Sequence, residues 1–219
     1  GNKTAYEYDD SGRVSAIVNK SPDGTQLARV EYEYSEFGEL SNIVRNDTMG
    51  YSMGYNAFHK LESIGVSGKE TPLTSYVYKK GTGRLKKIVW ANGSTAAITY
   101  NRQGRVMKED WSDSEGNIVA SYGYAYDGNG NVVASVDYKK KMVYNYSYRE
   151  GMLVRCTEST ADTVNADGSV IGKNIVNTIS FFYDKEGRLV RKTVTPANGQ
   201  SIVVAYENSD NNGTSVTFR

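Results

Sequence analysis

Tyr8-Asp9-Asp10-Ser11-Gly12-Arg13-Val14 and Tyr183-Asp184-Lys185-Glu186-Gly187-Arg188-Leu189 are one motif written twice, Tyr-x-x-x-Gly-x-(Leu/Val). The same spacing recurs at Tyr34, Gly38 and Leu40, at Tyr100, Gly104 and Val106, and at Tyr126, Gly130 and Val132. Three copies deviate. Tyr55, His59 and Leu61 place a histidine where the glycine belongs, Tyr78, Gly83 and Leu85 add one residue, and Tyr148, Gly151 and Leu153 lose one. A ninth copy, Tyr206 with Gly213 and Val216, is degenerate. Successive anchor tyrosines stand 21 to 35 residues apart, a period that belongs to solenoids and repeat arrays.

Each period divides into two strands. Tyr6 and Tyr8, Tyr32 and Tyr34, Tyr76 and Tyr78, the trio Tyr122, Tyr124 and Tyr126, and the trio Tyr144, Tyr146 and Tyr148 are spaced by two, which puts them on one face of a pleated strand. A second apolar run follows each glycine, as in 14–18, 40–44, 85–90, 132–136 and 189–194; these are read as return strands. Asp9, Asp127 and Asp184 open turns in which a carboxylate can bond its own backbone and a glycine takes positive φ. Asp23-Gly24, Asn92-Gly93, Glu115-Gly116, Asp167-Gly168 and Asn198-Gly199 favour tight connections onward to the next anchor. The expected fold is therefore all-β: an antiparallel array of about nine hairpin repeats in one curled or spiralling sheet, either a small closed barrel or a partly open shell. One domain is expected over 1–219, with a hairpin insertion near 157–174. The anchors Tyr34, Tyr100 and Tyr126 are expected to be mostly buried. Val14 and Ile17, Leu40 and Ile43, Leu61 and Ile64, and Leu85 and Ile88 are spaced by three, which crosses faces in a flat strand; a bulge or burial on both faces would reconcile this.

The Tyr-Asp-x-x-Gly-Arg-(Leu/Val) segments at 8–14 and 183–189 resemble the core motif of the RHS/YD-repeat family, known from bacterial rearrangement-hotspot proteins, toxin-complex shells and animal teneurins. The likeness covers nearly the whole chain. It implies a β-sheet that winds into a hollow shell, which in toxins encloses a C-terminal payload released by self-cleavage. In the members that cleave, an Asp-Pro-x-Gly segment is required, and this sequence contains no Asp-Pro dipeptide. What the resemblance implies here is the wall and not the payload.

Composition narrows the function classes. Lys plus Arg is 26 and Asp plus Glu is 25, a net charge of +1, so no basic field attracts phosphates and no nucleic-acid partner is expected. Tyrosine numbers 18 against 5 Phe and 2 Trp; a phenol ring buries area but brings a hydroxyl that needs a partner, so a conventional aliphatic core is not expected. Cys156 stands alone, which leaves no intrachain disulfide and no cysteine metal cluster. No stretch approaches 18 apolar residues. Gly1 reads as a cloning remnant with any leader removed, and an extracellular or cell-surface location is expected.

Candidate chemistry is sparse. His59, the one histidine, occupies a turn-glycine position and is read as a turn substitution. Asp9, Asp127 and Asp184 recur at one repeat position, where turn chemistry explains them; a catalytic pair would be unique, not periodic. No catalytic residue, cofactor or metal is assigned. Trp90 and Trp111 each lie five residues after the Leu or Val of their repeat. They are the candidate ligand platform, for a sugar or a protein, because equivalent positions elsewhere are mostly polar. The expected function is a non-catalytic structural or adhesive surface module binding glycan or another surface protein. A fragment of a larger shell enclosing or displaying another polypeptide is the alternative, and a glycan-acting hydrolase a third. The sequence does not fix the oligomeric state.

Overall fold

The structure, a computed structural model, describes residues 1–165, 170–209 and 213–218, with side chains described as far as Tyr206. The expected connection Asp167-Gly168 lies outside the described residues. The chain divides into two compact units, one of Gly1–Ala97 with Ser112–Asn117, the other of Ile98–Trp111 with Ile118–Arg219.

Eighteen strands and no helix are described. They are β1 (Lys3–Tyr8), β2 (Val14–Lys20), β3 (Gln26–Tyr34), β4 (Leu40–Arg45), β5 (Met49–Tyr55), β6 (Leu61–Val66), β7 (Pro72–Tyr78), β8 (Leu85–Trp90) and β9 (Thr95–Tyr100). Then follow β10 (Val106–Ser112), β11 (Ile118–Tyr126), β12 (Val132–Asp137), β13 (Met142–Arg149), β14 (Met152–Val164), β15 (Val170–Tyr183), β16 (Leu189–Pro196), β17 (Ile202–Ser209) and β18 (Gly213–Phe218). In the first unit β1 to β8 pair antiparallel in sequence order, and in the second β11 to β18 do the same. Within these two runs each tyrosine strand pairs with its own return strand, and β3, β5, β7, β13, β15 and β17 pair also with the return strand before them, the meander that short turns impose.

A bulge resolves the spacing of three. Tyr34 opposes Leu40, but Glu33 opposes Asn42, so Ser41 is an extra residue on the return strand. Ile43 then opposes Tyr32, and cross-strand partners share a face, so Leu40 and Ile43 lie on the face of both tyrosines. The same insertion falls on Ser15, Glu62, Lys86, Val133, Val154 and Val190. In these seven copies it is a repeated element of the fold, one residue after the Leu or Val.

The core is thin. Buried hydrophobics among the described residues are small: Ala16, Val18, Ala96, Val136, Val143, Cys156, Ala161 and Val204. The anchors Tyr34, Tyr100 and Tyr126 are neither fully buried nor exposed. The Tyr34 and Tyr126 rings lie under Arg13 and Arg105 of the neighbouring repeat. The long insertion is a ribbon: β13 reaches only Thr160 of β14 and β16 only Asn177 of β15, while β14 and β15 continue together to the Val164–Val170 pair.

Candidate functional site

The site is best understood from the motif, whose residues each have one physical task. The first carboxylate folds the turn: Asp9 Oδ1 accepts the N–H of Ser11 and of Arg13, both at 2.9 Å, and Asp184 accepts those of Glu186 and Arg188 at 3.0 and 2.8 Å. These bonds favour the ionised form. They hold the carboxyls below the ordinary aspartate range, chiefly through the Arg13 backbone N–H at Asp9, the Asn131 side chain at Asp127 and the Arg188 side chain at Asp184. The glycine completes the turn with φ of +78° at Gly12 and +79° at Gly187, where a side chain would be strained. His59 adopts φ of +58° in the same place, so it is a turn substitution.

The tyrosine and the Leu or Val join one repeat to the next. The hydroxyl of Tyr34 donates to Val14 O, Tyr55 to Leu40 O, Tyr78 to Leu61 O, Tyr126 to Val106 O, Tyr148 to Val132 O and Tyr183 to Leu153 O, at 2.5 to 3.0 Å. Those carbonyls are available because each lies ahead of the ladder to the following strand. That ladder begins two residues later, at Ala16, Asn42, Ser63, Ala134 and Arg155. The residue after the turn glycine adds a second contact. Arg13 lies 4.4 Å above the Tyr34 ring, Lys60 5.4 Å above Tyr78 and Arg105 5.5 Å above Tyr126, in the range of cation–π attraction. Lys60 Nζ also donates to Gly83 O and Arg105 Nη1 to Asp127 O at 2.9 Å, so the cation caps the next turn.

One groove of about 720 Å³ interrupts this order among the hairpin tips of the first unit. Glu39, Phe37, Met53, Tyr55 and His59 are among its lining residues. Glu39 stands where Arg13, Lys60 and Arg105 stand in their copies. Its Oε1 meets His59 Nδ1 at 2.7 Å, its Oε2 accepts the Ser35 hydroxyl, and the His59 ring lies edge-on to Phe37 at 4.7 Å. Sequence reasoning missed this groove, although Gly38-Glu39-Leu40 breaks the charge rule that its neighbours follow.

Trp90 is half-buried at the end of β8, opposite Thr74, and its backbone brackets the turn to Ser94. Trp111 lies in β10 and is 39% exposed. The two belong to different units. Among the described residues no group of three or more His, Cys, Asp or Glu is placed to hold a metal, and no helix is long and apolar enough to cross a membrane.

The chain resembles known proteins in structure and in sequence. It is similar to chains in solved structures of TcdB2-TccC3-Cdc42, with a TM-score of 0.72, 13% identity and coverage of 99% of this chain and 12% of that one. TcdB2-TccC3 gives 0.71, 12%, 97% and 12%, and the Tc holotoxin pore of Photorhabdus luminescens gives 0.61, 12%, 99% and 15%. This chain has the fold of a stretch of the TcdB2-TccC3 chains. In sequence it is 25% identical over 177 residues to the tRNA nuclease WapA of Bacillus subtilis (strain 168), covering 75% of this chain and 7% of WapA. No protein-family model matches it. The chain thus spans a small part of the length of each of these proteins.

Proposed function

We propose that this chain is a stretch of wall from a larger shell of the RHS type, a non-catalytic element that encloses or displays another polypeptide outside the cell. The observation that carries the reading is the likeness to TcdB2-TccC3 along 99% of this chain and only 12% of that one, which is what a run of identical wall units would give. The repeat-to-repeat bonds support it: tyrosine hydroxyls and cations are spent on the neighbouring repeat, which makes a stiff sheet and leaves the periodic carboxylates in their turns. A glycan-binding role has no support in the comparisons, and the wall reading replaces it.

The name of WapA assigns tRNA cleavage to that protein, of which this chain spans 7%. We assign none to this chain: Asp9, Asp113, Asp127 and Asp184 each cap their own turn, and His59 is paired with Glu39. Incubated with tRNA, the purified chain is expected to leave it intact; cleavage abolished by changing one of these carboxylates would overturn the assignment. The wall reading is tested on the gene. Further Tyr-x-x-x-Gly-x-Leu repeats and a distinct domain in the same reading frame are expected, and a frame that encodes this array alone would contradict it.

A further inference from the structure

The motif can place a cation over the next tyrosine ring, as Arg13 does over Tyr34, Lys60 over Tyr78 and Arg105 over Tyr126. In the second copy the equivalent residue is Glu39, and the ring it should cover, Tyr55, lines an open groove instead. Tyr55 keeps its other repeat contact, the 2.9 Å bond from its hydroxyl to Leu40 O, so the ring is held in register while its face is left to the groove. Glu36 adds a second carboxylate to the lining, and Met53 and Phe37 supply apolar wall. The Glu39 carboxyl is held below its ordinary range, first by the Ser35 hydroxyl, so it is ionised at neutral pH. Each of its oxygens has one partner, Ser35 or His59, and a carboxylate oxygen accepts two.

We propose that this groove takes the guanidinium of an arginine presented by a partner polypeptide, which restores from outside the cation that the array supplies internally at Tyr34, Tyr78 and Tyr126. The aromatic face of Tyr55 and the carboxylate of Glu39 are the two groups such a cation needs. A polypeptide is the occupant because Phe37, in the groove lining, and Phe58, between the lining residues Ala57 and His59 in the chain, are exposed at 69% and 82%; they hold equivalent positions of adjacent turns and offer apolar contact to the residues on either side of the arginine. The groove's chemistry is independent of whether the chain is a wall segment, so the two proposals stand or fall separately.

The test uses acetyl-Gly-Arg-Gly-amide, its citrulline counterpart as an uncharged isostere, and agmatine as a free guanidinium, each titrated into the whole chain with the Met53 methyl resonance and calorimetry as readouts. The arginine peptide is expected to bind saturably and shift Met53, with citrulline and the Glu39→Gln variant each weaker by about tenfold or more. Glu39→Arg fills the groove from within; it should fold, raise the urea midpoint and lose the peptide. No saturable binding, equal binding of citrulline, undiminished binding to Glu39→Gln, or retained binding to Glu39→Arg would each overturn the site. Agmatine binding as tightly as the peptide would overturn the choice of a polypeptide.

Discussion

The aspartate that follows an anchor tyrosine shows how one side chain sets both a turn and a pH response. Asp9, Asp127 and Asp184 accept N–H groups of their own turns, and their carboxyls are held below the ordinary range. A group with a depressed folded pKa contributes stability that is fully present above its unfolded value, about 4, and is lost as pH falls through the lower folded value. The urea midpoint is therefore expected to stay level from about pH 7 to about pH 5 and to fall below about pH 4. A midpoint that rises on acidification would contradict the turn role. These aspartates, the turn glycines and the substitution at His59 were all legible in the sequence, because turn chemistry is local and needs no knowledge of what packs against it. The task of Arg13, Lys60 and Arg105 was not, since a residue's effect on the next repeat's ring depends on how two hairpins are stacked. Glu39 shows the same limit: its departure from the charge rule was visible in the sequence, but the groove over Tyr55 was not.

Within the strands the decisive feature is the bulge after the Leu or Val of seven copies. The spacing of three between Leu40 and Ile43 signalled that something interrupted the pleat, but burial on both faces predicts the same spacing. Only the register, with Tyr34 opposite Leu40 and Tyr32 opposite Ile43, separates them. The interval from Tyr148 to Tyr183 exceeds the period of the other repeats, and β14 and β15 pair as far as Val164 and Val170 within it. Close approach of strands was not legible. Gly50 in β5 is buried, and a Cβ there would lie 2.8 Å from Ile43 O and 2.6 Å from Ser67 Oγ, so part of the obstacle is backbone that cannot step aside. Gly50→Ala is expected to cost roughly 1 to 3 kcal/mol in urea unfolding, as overpacking does. Gly128, in an open turn with nothing within 4 Å of an added Cβ, is the control, and its alanine variant should stay within about 0.5 kcal/mol of the parent. Equal losses at both glycines would show that the strand contact is not what sets the cost.

Over the whole molecule the repeat pattern in the sequence specified an all-β meander, and the chain folds as one, with the fold of a stretch of TcdB2-TccC3. The division into two units left no trace in composition, because each is built from the same motif and no linker marks the boundary. A tyrosine in a two-layered core is dry all round, whereas here the rings of Tyr34, Tyr78 and Tyr126 lie under a cation of the neighbouring repeat and are bonded to that repeat by their hydroxyls. Stability in such an array is a sum of nearest-neighbour contacts, and the tyrosine hydroxyl is the contact that recurs. Tyr8 is the internal reference, for its side chain is 61% exposed and no hydroxyl partner is found for it among the described residues. The measurement that bears most directly on a wall held together repeat by repeat is a set of Tyr→Phe variants at 34, 55, 78, 126, 148 and 183, with Tyr8→Phe beside them, each unfolded in urea. Each of the six should lose about 1 kcal/mol, the usual net value of one hydrogen bond, while Tyr8→Phe should lose nothing measurable. Six variants as stable as the parent, or a loss at Tyr8 equal to theirs, would mean that the hydroxyls do not join the repeats.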